Sequence, residues 1–317
     1  MALEMDNDVV IIGAGVAGLN AAITAARHGL QTLVVDKLGA GGQVINVDRI
    51  ENFPGPAEGM AGFELGPALQ IQADEAGAVF ALDTIEQIER IDGGFRVLGG
   101  DIDVTTATVI VAAGSSRKKL GVPGEDEFEG RGVSHCASCD GPLMKGRTVC
   151  VVGAGDSALD EALALSEHAE KVSIVMRHRR PTARHSLIEA CKAAGNIEFV
   201  PCSEVERIDG DGSGVSSITL HEIPSGKVTE LPCHGLFVYV GLDPNVDFVS
   251  GLVDLASDGR IAVDLSMQTS MPGLFAAGDI RSESVAHLAA SAGDGVTAAI
   301  SAVRHIQALK AAADIHI

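Results

Sequence analysis

The sequence predicts an α/β protein built from two strand-turn-helix-strand modules, and three observations predict it. A β-branched run, Val9 to Ile12, leads through Gly13, Gly15 and Gly18 into an Ala-rich segment ending at Gly29, and a second apolar run, TLVVDK, follows. The same order returns from Thr148, with Gly153, Gly155 and another Ala-rich stretch. The composition is 46% hydrophobic with 38 glycines, nine Phe, one Tyr and no Trp, which suits close-packed strands and helices of Ala, Val, Ile and Leu. At 317 residues the chain is long enough for two domains that each bury a core.

In the first module the glycines stand where a tight turn, close backbone approach to a pyrophosphate, and helix-strand contact each exclude a β-carbon. The helix N-terminus then offers unpaired amides to phosphate. Asp36 stands 21 residues after Gly15, where a ribose-binding acid is required. In the second module Ala158 takes the third glycine's place, and small residues suffice there. Its second strand ends in no acid but in RHRRPTAR, with Arg177, His178, Arg179, Arg180 and Arg184. Cations there suit a 2′-phosphate, so NADP fits better than NAD; a solvated basic loop is the alternative. Two dinucleotide sites in one chain imply two nucleotides, and electron transfer between a flavin and a nicotinamide.

A formal net charge of −20 disfavours broad contact with nucleic acid or an anionic membrane. The acidic start, MALEMDND, is unlike a secretory signal, so a cytoplasmic location is expected. Six cysteines are too sparse for a disulfide scaffold. Two of them form a pair, Cys136-Ala-Ser-Cys139, followed at once by Asp140. A closed zinc site needs four ligands and only one such pair is present, so no metal is expected. A bridge across two residues constrains little of the unfolded chain, which leaves a couple that cycles between dithiol and disulfide. The segment is expected to begin a helix whose N-terminal dipole lowers a thiol pKa. Asp140 is close enough to move protons, with capping of the turn as its other role. His135 could assist a thiolate, whereas His28, His168, His221 and His305 read as solvated helix ends or loops. Cys150, Cys191, Cys202 and Cys233 read as buried small hydrophobes.

Gly13-Ala14-Gly15-Val16-Ala17-Gly18, Gly41-Gly42-Gln43, Glu51-Asn52-Phe53-Pro54-Gly55, Ala112-Ala113-Gly114, Gly132-Val133-Ser134, Cys136 to Asp140, Gly153 to Ala158 and Gly278-Asp279 occur in the order of one family. With them the chain resembles the low-molecular-weight thioredoxin reductases, homodimeric flavoproteins, over nearly its whole length. The resemblance implies two Rossmann-like nucleotide-binding domains of the three-layer ββα type, the second inserted in the first. It places an FAD domain at 1–115 and 246–317, and an NADP domain carrying the cysteine pair at 118–243. It further implies that one domain rotates against the other during turnover. Gly13, Gly15 and Gly18 would hold the FAD pyrophosphate, Asp36 its ribose with Lys37 beside it, Gln43 and Asn52 the flavin, and Asp279 the ribityl chain. Ala113, Gly114, His287 and Leu288 are further FAD contacts by the same implication. Gly153, Gly155, Asp156, Ser157 and Ala158 would cradle the NADP phosphates, with the basic cluster on the 2′-phosphate. Cys139 would face the flavin, and Cys136 would exchange with substrate.

Three departures from the family pattern bear on the direction of electron flow. Pro142-Leu143 replaces an aromatic pair that often follows the motif, Ala286-His287-Leu288 replaces Arg-Gln-Ala, and the His-Arg-Arg-x-x-x-Arg spacing stands two residues late. His287 would bring an imidazole able to shuttle protons to the flavin edge. The chain thereby also resembles dithiol oxidases that close the disulfides of gliotoxin, holomycin and romidepsin. Oxidation of a small-molecule dithiol, with NADP+ or oxygen reoxidising the flavin, is the favoured expectation. NADPH-dependent reduction of thioredoxin is the alternative, and a slow nucleotide-binding sensor a third.

Overall fold

A computed structural model of the chain describes residues 5–47, 49–50, 52–55 and 58–314. Residues 1–4 of the acidic start and Glu51 of the Glu-Asn-Phe-Pro-Gly stretch lie outside the described residues. The chain divides into two compact units, Met1–Ser116 with Pro244–Ile317, and Arg117–Asp243.

The first segment opens with strand β1 (Asn7–Ile12), helix α1 (Val16–Arg27) and strand β2 (Thr32–Asp36). Helix α2 (Gly62–Ala76) and strands β3 (Val79–Leu82), β4 (Ile85–Ile91), β5 (Gly94–Gly99) and β6 (Asp103–Val111) follow. Val9 and Ile11 pack into one core and Val10 and Ile12 into another, so β1 is buried on both faces. That is why it reads as a continuous apolar run rather than an alternating one. β1 pairs in parallel with β2 on one side and with β6 on the other.

At strand β7 (Ser115–Arg117) the chain crosses into the inserted unit. There it forms β8 (Val133–Ser134), the short helix α3 (Ala137–Asp140), β9 (Thr148–Val152), α4 (Asp156–Ser166), β10 (Lys171–Val175), α5 (His185–Ala193) and β11 (Ile197–Val200). An antiparallel meander, β12 (Ser203–Asp211), β13 (Gly214–Glu222) and β14 (Lys227–Pro232), precedes β15 (Gly235–Val238). The parallel sheet runs β11-β10-β9-β15-β8. Helix α4 follows β9 and leads to the parallel neighbour β10, the βαβ crossover expected from the repeat. Strand β16 (Leu242–Pro244) then pairs with β7, so the two crossings lie side by side.

The returning segment supplies β17 (Leu274–Ala276) and the long helix α6 (Leu288–Asp314). One edge of β6 is shared, with Asp103–Thr106 meeting β5 antiparallel and Val109–Val111 meeting β17 parallel. Helices α1, α2 and α6 cover one face of the parallel strands; β4 and β5 continue the same hydrogen-bonded sheet, and their Ile85, Ile88, Phe95 and Val97 share the core on the other face with the 246–263 stretch. No helix among the described residues is long and apolar enough to cross a membrane.

The α1–α6 contact tolerates no extra atom. A β-carbon at Gly295 would overlap the carbonyl oxygen of Ala17. Gly295→Ala is therefore expected to destabilise the protein by about 1–3 kcal/mol, through backbone displacement in a filled core. A lower urea midpoint with an unchanged slope checks this.

Three assignments to loops, helix ends or core need correction. His305 lies within α6, with its ring edge-on to Phe275 at 6.4 Å between centroids. His221 lies in β13 and meets Glu204 at 3.3 Å. Cys202 is only half-buried and has φ 53°, unlike the buried Cys150, Cys191 and Cys233.

Candidate active site

The site residues fall into three constellations, each within one unit. At the first glycine turn, Gly13 has φ 104° and a β-carbon there would overlap the carbonyl of Ala112, while one at Gly18 would overlap the carbonyl of Gly13. Above Gly15, by contrast, a β-carbon would find nothing within 4 Å. Helix α1 follows Gly15 with no side-chain cap and no acid in its first turn. Open space over uncapped amides fits a pyrophosphate. Asp36, at the end of β2, accepts the Ala14 amide through Oδ2 at 2.7 Å and those of Leu38 and Gly39 through Oδ1 at 2.8 and 2.9 Å. A carboxylate has about four acceptor positions, which leaves one for a ribose hydroxyl. Lys37 and Asn52 are exposed. Gln43 donates its Nε2 to the carbonyl and hydroxyl of Ser115 at 2.6 and 3.1 Å. Asn245 holds the Ala113-Gly114 turn, donating to Ala113 O at 2.7 Å and to Gly114 O at 3.1 Å.

The C-terminal segment adds Asp279, whose Oδ1 accepts from Ser284 and Ser291 at 3.2 and 3.4 Å. Sequence reasoning missed what fixes this loop. Arg281 donates Nε and Nη2 to the two oxygens of Asp294 at 2.7 and 3.0 Å, and Asp294 also accepts the Gly278 amide at 3.2 Å. His287 precedes α6 with its Nδ1 3.2 Å from the Ala289 amide. The amide is the donor and Nδ1 the acceptor. His287, the middle residue of the Ala286-His287-Leu288 triplet, thus caps the helix, and Leu288 is the first residue of that helix.

The second glycine turn repeats the first. Gly153 has φ 144°, a β-carbon on it would overlap the Tyr239 carbonyl, and Gly155 again faces open space. Here the first turn of α4 carries an acid, Asp156, which accepts the backbone and Nε of Arg184 at 2.7 and 2.8 Å. Arg177, His178, Arg179 and Arg180 are exposed beyond β10, while Met176 is buried in register with the sheet. Ser157 is exposed beside the turn and Ala158 is buried under it.

The third constellation is the cysteine pair. Cys136 and Cys139 form a disulfide with 5.3 Å between their Cα atoms. Cys136 caps α3, its sulfur accepting the Cys139 amide at 3.2 Å. Cys139 is exposed and Asp140 half-buried. Asp140 makes no side-chain cap to the following turn, so the capping role considered for it is not realised. His135 places Nδ1 3.2 Å from the Val238 carbonyl and Nε2 3.6 Å from Glu129, which fixes both ring nitrogens on structural partners. The helix-dipole expectation needs correction, because α3 spans only four residues and its first amide, on Ala137, is taken by Glu161 at 2.8 Å. A carboxylate there opposes the dipole. Glu161 could have been found as an acid three residues beyond Ala158 and four before Leu165, on the apolar face of α4.

Residues 7–300, which carry these turns and the cysteine pair, match one protein-family model, the pyridine nucleotide-disulphide oxidoreductases. The chain belongs to this family. It is 38% identical over 313 residues to a thioredoxin reductase of Treponema pallidum, covering 97% of this chain and 100% of that one. Its fold resembles that of the thioredoxin reductase of Lactococcus lactis with a TM-score of 0.91 at 35% identity, covering 95% and 99% of the two chains. The HlmI structure is more distant, with a TM-score of 0.62 at 25% identity over 98% and 95%. This pyridine nucleotide-disulphide oxidoreductase is a thioredoxin reductase-like enzyme of α/β fold that uses FAD and NADP.

Proposed function

We propose that the enzyme reduces the disulfide of a thioredoxin-like protein at the expense of NADPH. The observation that carries this reading is end-to-end similarity to thioredoxin reductases with both cysteines of the pair in place. The balance is NADPH, one proton and a protein disulfide giving NADP+ and a protein dithiol. The first unit, through Gly13, Gly15, Gly18, Asp36 and Asp279, holds FAD, and the inserted unit, through Gly153, Gly155 and the exposed arginines, holds NADP(H). Bound FAD supplies the two-electron link between nicotinamide and disulfide. Cys139 receives electrons on the flavin side, Cys136 attacks the substrate disulfide, and Asp140 moves the accompanying protons. The enzyme acts in the cytoplasm as a homodimer on this reading.

The reverse direction, oxidation of a small-molecule dithiol, was the favoured sequence expectation. It draws on Pro142-Leu143, with Leu143 68% exposed beside the pair, and on His287. Neither excludes reduction: an exposed leucine still offers apolar area to a protein partner, and His287 acts as a helix cap. The similarity to thioredoxin reductases favours the reductase reading.

Anaerobic flavin bleaching separates the two. Fast bleaching by NADPH followed by reduction of added thioredoxin is the expected result. Fast bleaching by a small dithiol, with thioredoxin inert, would overturn it.

A further inference from the structure

The carboxylate beneath the redox helix belongs to none of the sequence motifs. Glu161 projects from the body of α4, the helix that begins at the second glycine turn, and accepts the Ala137 amide at 2.8 Å. Ala137 is the first helical residue after Cys136, so the carboxyl is bound one peptide unit from the exchanging sulfur. Burial is the largest influence on this carboxyl and holds it above the ordinary glutamate range. The Ala137 amide, Tyr239 and the charge of Arg117 act the other way, and Asp160 on its own helix adds to the rise. Tyr239, just past the end of β15, faces it with a buried hydroxyl that meets no partner at full hydrogen-bond geometry. Burial, then the charge of Glu161, pushes that phenol far up, so it stays a proton donor at every working pH. A thiolate formed on Cys136 would face a carboxylate across one amide, and two like charges in a partly desolvated site do not ionise independently.

We infer that Glu161 is a positioning residue for the Cys136–Cys139 couple: bound to the first amide of the redox helix, it sets the proton affinity of the exchanging thiol and holds one of the protons consumed when the disulfide is reduced. In that step the S–S bond breaks, two electrons arriving from NADPH by way of FAD reduce both sulfurs, and two protons are taken up. One proton sits on a sulfur and one on Glu161 while the other sulfur stays a thiolate. The inference rests on the disulfide chemistry of the family and holds for either direction of electron flow.

The test needs neither NADPH nor thioredoxin, so its failure is distinct from failure of the proposed direction. FAD-loaded protein in a Cys139→Ser background leaves Cys136 alone, and its alkylation by iodoacetamide is followed by peptide mass from about pH 5 to about pH 10. Glu161→Gln keeps an oxygen for the Ala137 amide and removes the charge. It is expected to move the midpoint of the profile down by about one pH unit, making alkylation below the midpoint about tenfold faster, with Glu161→Asp returning it toward the parent. A purely structural role predicts superimposed profiles, and a Gln profile within about 0.2 pH unit of the parent would overturn the inference. A second measurement uses the chain with both cysteines and Glu161 intact. Reduction should bring up a protonated-carboxyl band in the infrared difference spectrum that persists in Asp140→Asn; its absence there also overturns the inference.

Discussion

Cys139→Ser is expected to lower NADPH-dependent thioredoxin reduction by on the order of 10³-fold or more, while NADPH still bleaches the bound flavin. The relay needs two sulfurs because a disulfide accepts two electrons as a unit, and a serine hydroxyl neither forms nor opens the bridge. No other thiol can stand in: Cys150, Cys191 and Cys233 are buried in the core, and Cys202 sits in the turn ahead of β12. Members of one catalytic unit are non-additive, so the double variant with Cys136→Ser should be no worse than the single one. Steady-state NADPH oxidation with thioredoxin, beside ferricyanide reduction as a flavin-only control, reads both halves. Retention of a tenth of the parent rate would contradict the relay.

Arg281→Leu should cost about 3–5 kcal/mol of stability, the usual penalty for leaving one member of a buried ion pair without its partner. The side chains of Arg281 and Asp294 are 15% and 8% exposed, and the guanidinium meets both carboxylate oxygens. Removing the cation strands a carboxylate that also holds the Gly278 amide, so the Asp279 loop loses its anchor to α6. Urea unfolding of the first unit and the retention of FAD on dilution should both fall. Replacing the two residues together, Arg281→Met with Asp294→Leu, should recover most of the loss, because an apolar pair of similar volume carries no desolvation penalty. A single variant as stable as the parent would show that solvent reaches Asp294 freely.

Features that depend on neighbours within a few residues were legible before folding. The β1-α1-β2 and β9-α4-β10 modules are written in glycine spacing and in apolar runs bracketed by small residues, because the turn itself excludes a β-carbon. The spacing of Cys136 and Cys139 is likewise a local statement, and the fold closes it as a disulfide. What escaped depends on distant residues. Arg281 and Asp294 meet across a loop, and neither has a motif around it. Glu161 looks like a helix acid until α3 is packed on α4. His305 reads as a solvated helix end or loop until α6 extends past it and Phe275 is placed against it. The direction of electron flow lay beyond local pattern, since Pro142, Leu143 and His287 differ from relatives without stating a substrate.

The divided edge of β6 has a consequence for biosynthesis. Val109–Val111 acquire their partner only when β17 is made, more than one hundred and fifty residues later. Until then the nascent outer sheet presents open backbone groups at its middle, while the insertion can already complete its own ladders on the ribosome. Maturation therefore finishes from the inside outward, and the interval before the C-terminal stretch emerges is when a chaperone has most to shield.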